Sequence, residues 1–142
     1  MSEEIYQQAI KELAQAAHGA GRLAQPTASV RLDNALCGDR VTLDLRSEGD
    51  TIAELAHETR GCLLCRAAAS LLAREAPGKS ADELARAHAA LTALLQGDPA
   101  EPLPWPALSI FAPVRAYKSR HGCVLLPFRA LREAIGSSDR TD

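Results

Sequence analysis

Apolar and polar positions along the chain recur with two different periods, and the changes of period divide it into elements. In residues 3–18, Ile5, Ala9, Leu13 and Ala16 or Ala17 follow one another at steps of three and four, the spacing that turns one face of an α-helix toward a core. Ser2, Glu4 and Gln7 supply capping and first-turn acid, and Gly19, Gly21 and Pro26 stop the helix. Residues 29–33 and 40–46 then alternate. In the second of these, Val41, Leu43 and Leu45 share one face and charges fill the other, as a half-buried strand requires. Asn34, Gly38 and Asp39 between them are turn formers, so Cys37 and Asp39 stand on a tip that joins two strands. Residues 47–50 form a second turn, and residues 51–58 form a third strand in which Ala is common. Three sequential strands with short turns predict an antiparallel meander.

Helical spacing returns in residues 63–75, where Leu64, Ala68, Leu71 and Leu72 make the inner side and Pro77-Gly78 the stop. Ser80-Ala81-Asp82-Glu83 fits a capping box that opens an Ala/Leu-rich helix over 82–96, ended by Gly97. Residues 98–106 hold four of the eight prolines and form a loop, with the single Trp105 as its anchor to the core. A short helical turn is expected at 108–112. A last helix over 124–135 begins near Cys123, because Pro127 is tolerated only in a first turn, and residues 137–142 read as a loose tail. The expected architecture is one α+β domain over 1–142. Residues 1–27 are the N-terminal helix and linker, and 28–136 are the core, a three-stranded antiparallel sheet with helices packed on one face.

Composition narrows the functional classes. The chain has 142 residues, 46% of them hydrophobic, enough for one domain with a sizeable core. Aromatics are only 4%, so that core is built from Ala, Leu, Val and Ile. The formal charge is −2 with both signs interspersed, and no basic stripe supports nucleic-acid binding. The longest strongly apolar run, 67–73, is too short to span a bilayer, and the acidic start Met1-Ser2-Glu3-Glu4 is not a secretory signal. These features predict a cytoplasmic protein without membrane or nucleic-acid partners. Thiols stay reduced there, so four cysteines read first as metal, redox or catalytic groups.

The chemistry gathers around Cys62. The alternating third strand ends at Gly61, and Cys62 opens the next helix, where a helix dipole favours thiolate, the form that attacks sulfur and binds metal. Successive hairpins bring the Cys37 tip and the end of the third strand to the same sheet edge. Cys37, Asp39 and Cys62 are therefore expected close together, with Cys123 at another helix start. Three thiolates and a carboxylate suffice for a tetrahedral metal site and also suit an iron–sulfur cluster. An oxygen ligand holds such a cluster less firmly than a fourth thiolate. Cys62-x-x-Cys65 after a strand also permits a thiol–disulfide oxidoreductase, although the meander lacks the βαβ order of such folds. A structural zinc domain is a third reading, one that leaves Asp39 and the tip unexplained. Cys65 shares a face with Ala68, Ala69 and Leu72 and reads as a core thiol. His18, His57 and His88 read as structural or surface residues, and His121 as solvated or adjacent to the site.

Cys37-Gly38-Asp39, Gly61-Cys62 and Arg120-x-x-Cys123, in this order across nearly the whole chain, resemble the U-type iron–sulfur assembly family of IscU, SufU and NifU N-terminal proteins. The long interval between Cys62 and Cys123, Gly78-Lys79-Ser80 ahead of a helix, and Tyr117-Lys118-Ser119-Arg120 are most similar to the SufU branch. Gly122 stands where the scaffold branch has His before its last Cys, and Ala35 where the family usually has Pro. The resemblance implies that Cys37, Asp39, Cys62 and Cys123 are the ligands of zinc or of a transient [2Fe–2S] cluster. It implies Cys37 as persulfide acceptor and Arg120 as a support for sulfur transfer. The implied partners are a cysteine desulfurase and apo iron–sulfur proteins or carriers.

Overall fold

A computed structural model describes residues 7–99 and 102–139. Its elements are helix α1 (Gln8–Ala16), strands β1 (Ala28–Asn34), β2 (Asp39–Glu48) and β3 (Thr51–Arg60), and helices α2 (Leu63–Glu75) and α3 (Ala81–Leu95). A 3-10 helix (Pro106–Ala116) and a short 3-10 turn (Lys118–Arg120) then lead into α4 (His121–Asp139). The strands form one antiparallel sheet in the order β1-β2-β3. Register decides which residues share a face. Leu32, Val41 and Thr59 line up, as do Val30, Leu43 and His57, and Ala28, Leu45 and Leu55. This face meets the helices: α4 lies on β1 and β2, α2 beside β3, α1 against α2, and α3 against α4. The fold class matches the α+β expectation. Among the described residues, no helix is long and apolar enough to cross a membrane.

The core is aliphatic apart from three large aromatics. Phe111, Phe128 and Trp105 are buried, and the Trp105 ring lies 6.0 Å from that of Phe128 with Lys79 Nζ 5.7 Å above its centroid. The proline-rich loop is therefore pinned by its Trp. The capping box opens α3: Ser80 Oγ accepts from Glu83 N–H and the Glu83 carboxylate accepts from Ser80 N–H.

Segment 18–23, after α1, closes the free edge of β3 and covers part of the second sheet face. His57 N–H donates to Gly19 O at 2.9 Å, and Gly21 N–H donates to His57 O at 2.8 Å. Pairing of this kind removes an exposed strand edge. The buried His57 ring bonds Thr59 Oγ1 and His18 O, both at 2.8 Å, and burial lowers its pKa. Gly19 has φ 75, and a Cβ there would meet Ala73 Cβ at 2.5 Å, so both conformation and space require glycine. Further along, the buried Asp44 carboxylate accepts from Arg22 Nε (2.8 Å) and Nη2 (3.0 Å), Leu23 N–H (3.0 Å) and Ser29 Oγ (2.7 Å).

Several boundaries depart from expectation. Helix α1 begins at Gln8 and ends with Ala17 in the left-handed region at φ 46, short of His18; residues 3–6 lie outside the described residues. The 3-10 helix is far longer than a turn at 108–112 and carries Pro113 inside it. Helix α4 begins at His121 because the 3-10 turn before it runs straight in. Pro127 consequently lies inside the helix, where it removes the N–H that would bond the Cys123 carbonyl. The helix also continues through 137–139, which corrects the tail; 140–142 lie outside the described residues.

The Arg22 guanidinium, outweighing burial that pushes the other way, holds the Asp44 carboxyl down at about 2 against an ordinary 3.8. Stabilisation from this group is complete above about pH 4 and is lost as pH falls toward 2. Asp44→Asn is expected to cost about 2 kcal/mol at neutral pH, with the difference from wild type vanishing toward pH 2. Urea melts across this range check it.

Candidate metal centre

Four segments meet at one end of the sheet. The last pair of β1 and β2 is Asn34 with Asp39, which leaves residues 35–38 as the tip. Asn34 O accepts from Cys37 N–H (3.2 Å) and Gly38 N–H (2.8 Å), and Gly38 takes φ 72 to close the turn. Cys37 is thereby held at the tip, half-buried, with its S–H donating to Ser119 O at 3.5 Å.

Asp39 begins β2 and is only 1% exposed. Its Oδ1 accepts from Cys62 N–H at 2.9 Å, so a carboxylate from the sheet sits on the N-terminal end of α2, where the peptide dipoles favour negative charge. Gly61 makes the approach possible, because a Cβ at that position would run into the Asp39 carboxylate. Asp39 Oδ2 is buried and has no hydrogen-bond partner, an arrangement that costs free energy unless a further group faces it.

Cys123 lies in the first turn of α4 and is buried. Its S–H donates to Cys37 Sγ at 2.8 Å. Ligand atoms of Cys37, Asp39 and Cys123 all lie within 4.8 Å of one another. Cys62 falls outside this trio but stands beside it, half-buried at the α2 N-cap. Burial first, then contact with Cys37, Asp39 and Cys62, raises the pKa of Cys123. In the absence of a cation, crowding of acidic groups keeps the proton on this sulfur. Two sulfurs, a carboxylate and an adjacent third thiol around an unpartnered carboxylate oxygen are a donor set that fits a thiophilic cation such as zinc, or iron.

Three further residues take definite places. Cys65 is wholly buried in the core, and burial raises its pKa, as expected of a packed thiol. The His121 ring is turned to the 3-10 helix, with Nε2 3.2 Å from Val114 O and 3.1 Å from Arg115 O. Because both partners are carbonyls, Nε2 must carry the proton, and the ring acts as a clasp. Arg120 ends the 3-10 turn next to Ser119, the residue whose carbonyl meets Cys37. Sequence reasoning missed Asn34, whose Nδ2 lies 3.9 Å from Cys123 Sγ. Its only signal was its identity as a turn former.

This geometry defines a class: a small α+β domain whose sheet edge and two helix starts gather thiols around a buried carboxylate. Residues 5–124 match the NifU-like N terminal domain, and the chain belongs to that family. It is 33% identical to a NifU-like protein (N-terminal) from Brucella abortus of known structure, with 99% of each chain covered and a TM-score of 0.93. It is 24% identical over 136 residues to the iron–sulfur cluster assembly scaffold protein IscU of Thermotoga maritima, covering 96% of each chain. It is also 22% identical over 111 residues to the zinc-dependent sulfurtransferase SufU of Bacillus subtilis, covering 78% of this chain and 76% of that one.

Gly61→Ala tests the seat of the carboxylate. The φ of Gly61 lies outside the left-handed region, so the cost arises from overlap with Asp39, about 1–3 kcal/mol for an over-packed site, and metal affinity is expected to fall with it. Equilibrium unfolding and chelator competition measure the two. Cys65→Ser is expected to lose about 1–3 kcal/mol by burying a hydroxyl, while metal content measured by plasma emission stays at the wild-type level.

Proposed function

We propose that this chain serves iron–sulfur cluster assembly by accepting sulfane sulfur from a cysteine desulfurase at a site made of Cys37, Asp39, Cys62 and Cys123. The observation that carries the proposal is the buried Asp39 carboxylate, grouped with the Cys37 and Cys123 sulfurs and with its Oδ2 left without a hydrogen-bond partner. Two relatives, one a zinc-dependent sulfurtransferase and the other a cluster assembly scaffold, support the same area of chemistry.

Cys37 is the acceptor in this reading. It is half-exposed on a four-residue tip, whereas Cys123 is buried in a helix. The Cys37 thiolate attacks the terminal sulfur of the partner's persulfide. A new S–S bond forms to Cys37, the partner's S–S bond breaks, and the partner's cysteine leaves as thiolate. A bound zinc ion would supply the charge that keeps the thiols deprotonated. Arg120, beside the segment that meets Cys37, supports the approach of an anionic persulfide. The receiving partners are apo iron–sulfur proteins or carriers, and the setting is the cytoplasm, where the thiols stay reduced.

The mixed ligand set also favours a second reading, a transient [2Fe–2S] cluster on the same four residues, since a carboxylate ligand lets a cluster go more readily than a thiolate. Metal analysis of the purified protein separates the readings. About one tightly held zinc per chain, with ³⁵S label from desulfurase and cysteine retained by wild type and lost in Cys37→Ser, is the result expected of sulfur transfer. Iron with acid-labile sulfide, longer-lived in Asp39→Ala, is the result expected of a scaffold. Absence of metal together with a reversible Cys62–Cys65 disulfide overturns both.

A further inference from the structure

We infer that Asn34 is a positioning residue of the metal centre, setting the direction of the Cys123 sulfur through an amide N–H. The inference rests on the reading of Cys37, Asp39 and Cys123 as metal-holding residues and extends it to a residue outside the ligand set.

Three observations meet at Asn34. Its Nδ2 points at Cys123 Sγ, 3.9 Å away, a long but usable distance for a sulfur acceptor. The same amide lies over Gly122, where an added Cβ would come within 3.0 Å of Nδ2. Residue 122 has no side chain, and the amide fills that place. Its main-chain carbonyl binds Cys37 N–H and Gly38 N–H, and in the sheet register it is the partner of Asp39. One residue thus ties the tip that carries Cys37 to the helix that carries Cys123.

The chemistry follows from donor and acceptor roles. In the structure the Cys123 S–H donates to Cys37. A metal-bound Cys123 has no proton and can only accept. Asn34 then must present N–H, because its carbonyl oxygen would face a negative sulfur. An N–H bond disperses charge on that sulfur and fixes its direction, as outer residues commonly do for metal ligands. It also weakens Cys123 as a nucleophile, which leaves sulfur exchange to Cys37.

Asn34→Asp discriminates this role from packing, since it keeps shape and main-chain bonds while replacing the donor by a charged acceptor. Zinc affinity is measured by competition with a chromophoric chelator, and the cobalt-loaded proteins by absorption. Asn34→Asp is expected to lower zinc affinity about tenfold or more. Asn34→Ala is expected to fall between it and wild type, with the sulfur-to-cobalt charge-transfer band moved to longer wavelength. Ala35→Asp, which adds the same charge on the exposed tip, is expected to bind close to wild type. Gly122→Ala crowds the amide from the helix side while improving helix propensity. It is expected to shift the cobalt band in the same direction without loss of thermal stability, and it carries the test should the Asn34 variants fail to fold. The inference is overturned by Asn34→Asp binding like wild type, by Asn34→Asp and Ala35→Asp falling equally, by Asn34→Ala falling furthest, or by an unchanged cobalt band in Gly122→Ala. Failure of the wild-type chain itself to bind zinc or cobalt removes the metal-site reading beneath it, and the inference with it.

Discussion

The Asp39 carboxylate, seated on the amino end of α2 over the bare Cα of Gly61, is the contact on which the rest of the site depends. It joins the first residue of β2 to the residue that caps the helix after β3, and the two are 23 positions apart in sequence. Without it, the Cys37 tip and the Cys62 helix start would share an edge of the sheet with nothing to set their separation. The seat is specific because it is made by a missing atom. Any side chain at 61 occupies the volume of the carboxylate, so glycine there is a packing requirement, distinct from the conformational one at Gly38 with its positive φ.

Two buried carboxylates on the same strand show what the fold does with charge. Asp44 accepts four hydrogen bonds, two of them from an arginine, and its proton is held off accordingly. Asp39, five residues earlier, has one oxygen bonded and one without a partner, in a carboxylate grouped with two thiols. The protein has the means to satisfy a buried carboxylate fully and does so where the role is structural. An unsatisfied oxygen in a native interior calls for an explanation, and a carboxylate grouped with two sulfurs is a donor set that would fit a cation.

The strands, the order of helices and the convergence of the Cys37 tip with Cys62 could be read from alternation, turn formers and hairpin geometry. Each of these is a local signal with a fixed spatial consequence. The inclusion of Cys123 could not be read from spacing, because its approach depends on the path of the long 3-10 helix at Pro106–Ala116, which has no strong period and two prolines. Cys123 enters as a third thiolate at a helix start, and the resemblance carried by Arg120-x-x-Cys123 supports its inclusion. The clasp by His121 was hidden for the same reason, since its partners are carbonyls of that helix. Pro127 misled the boundary of α4: a proline argues for a first turn, but the packing of α4 along β1 and β2 outweighs one lost backbone bond. Asp44 and His57 gave no signal because their partners come from segment 18–23, an irregular stretch whose path only tertiary packing determines.

The environments of the cysteines divide their labour. Cys65 is sealed in the core and has no route to a partner protein. Cys123 is buried in a helix that is packed along the sheet, so its sulfur can move only if α4 moves. Cys62 caps α2, its backbone committed to Asp39. Cys37 alone sits on a short connection with exposed neighbours on both sides, and one of them, Leu36, is 79% exposed, the most exposed large hydrophobic residue among those described. Exchange of a sulfur atom between proteins needs a thiol that can leave its ligand position and return. In the sulfur-transfer reading proposed above, that requirement points to Cys37. The fixed groups around it, Asp39 from the strand and Cys123 from the helix, are what a departing sulfur can return to, because neither can follow it out.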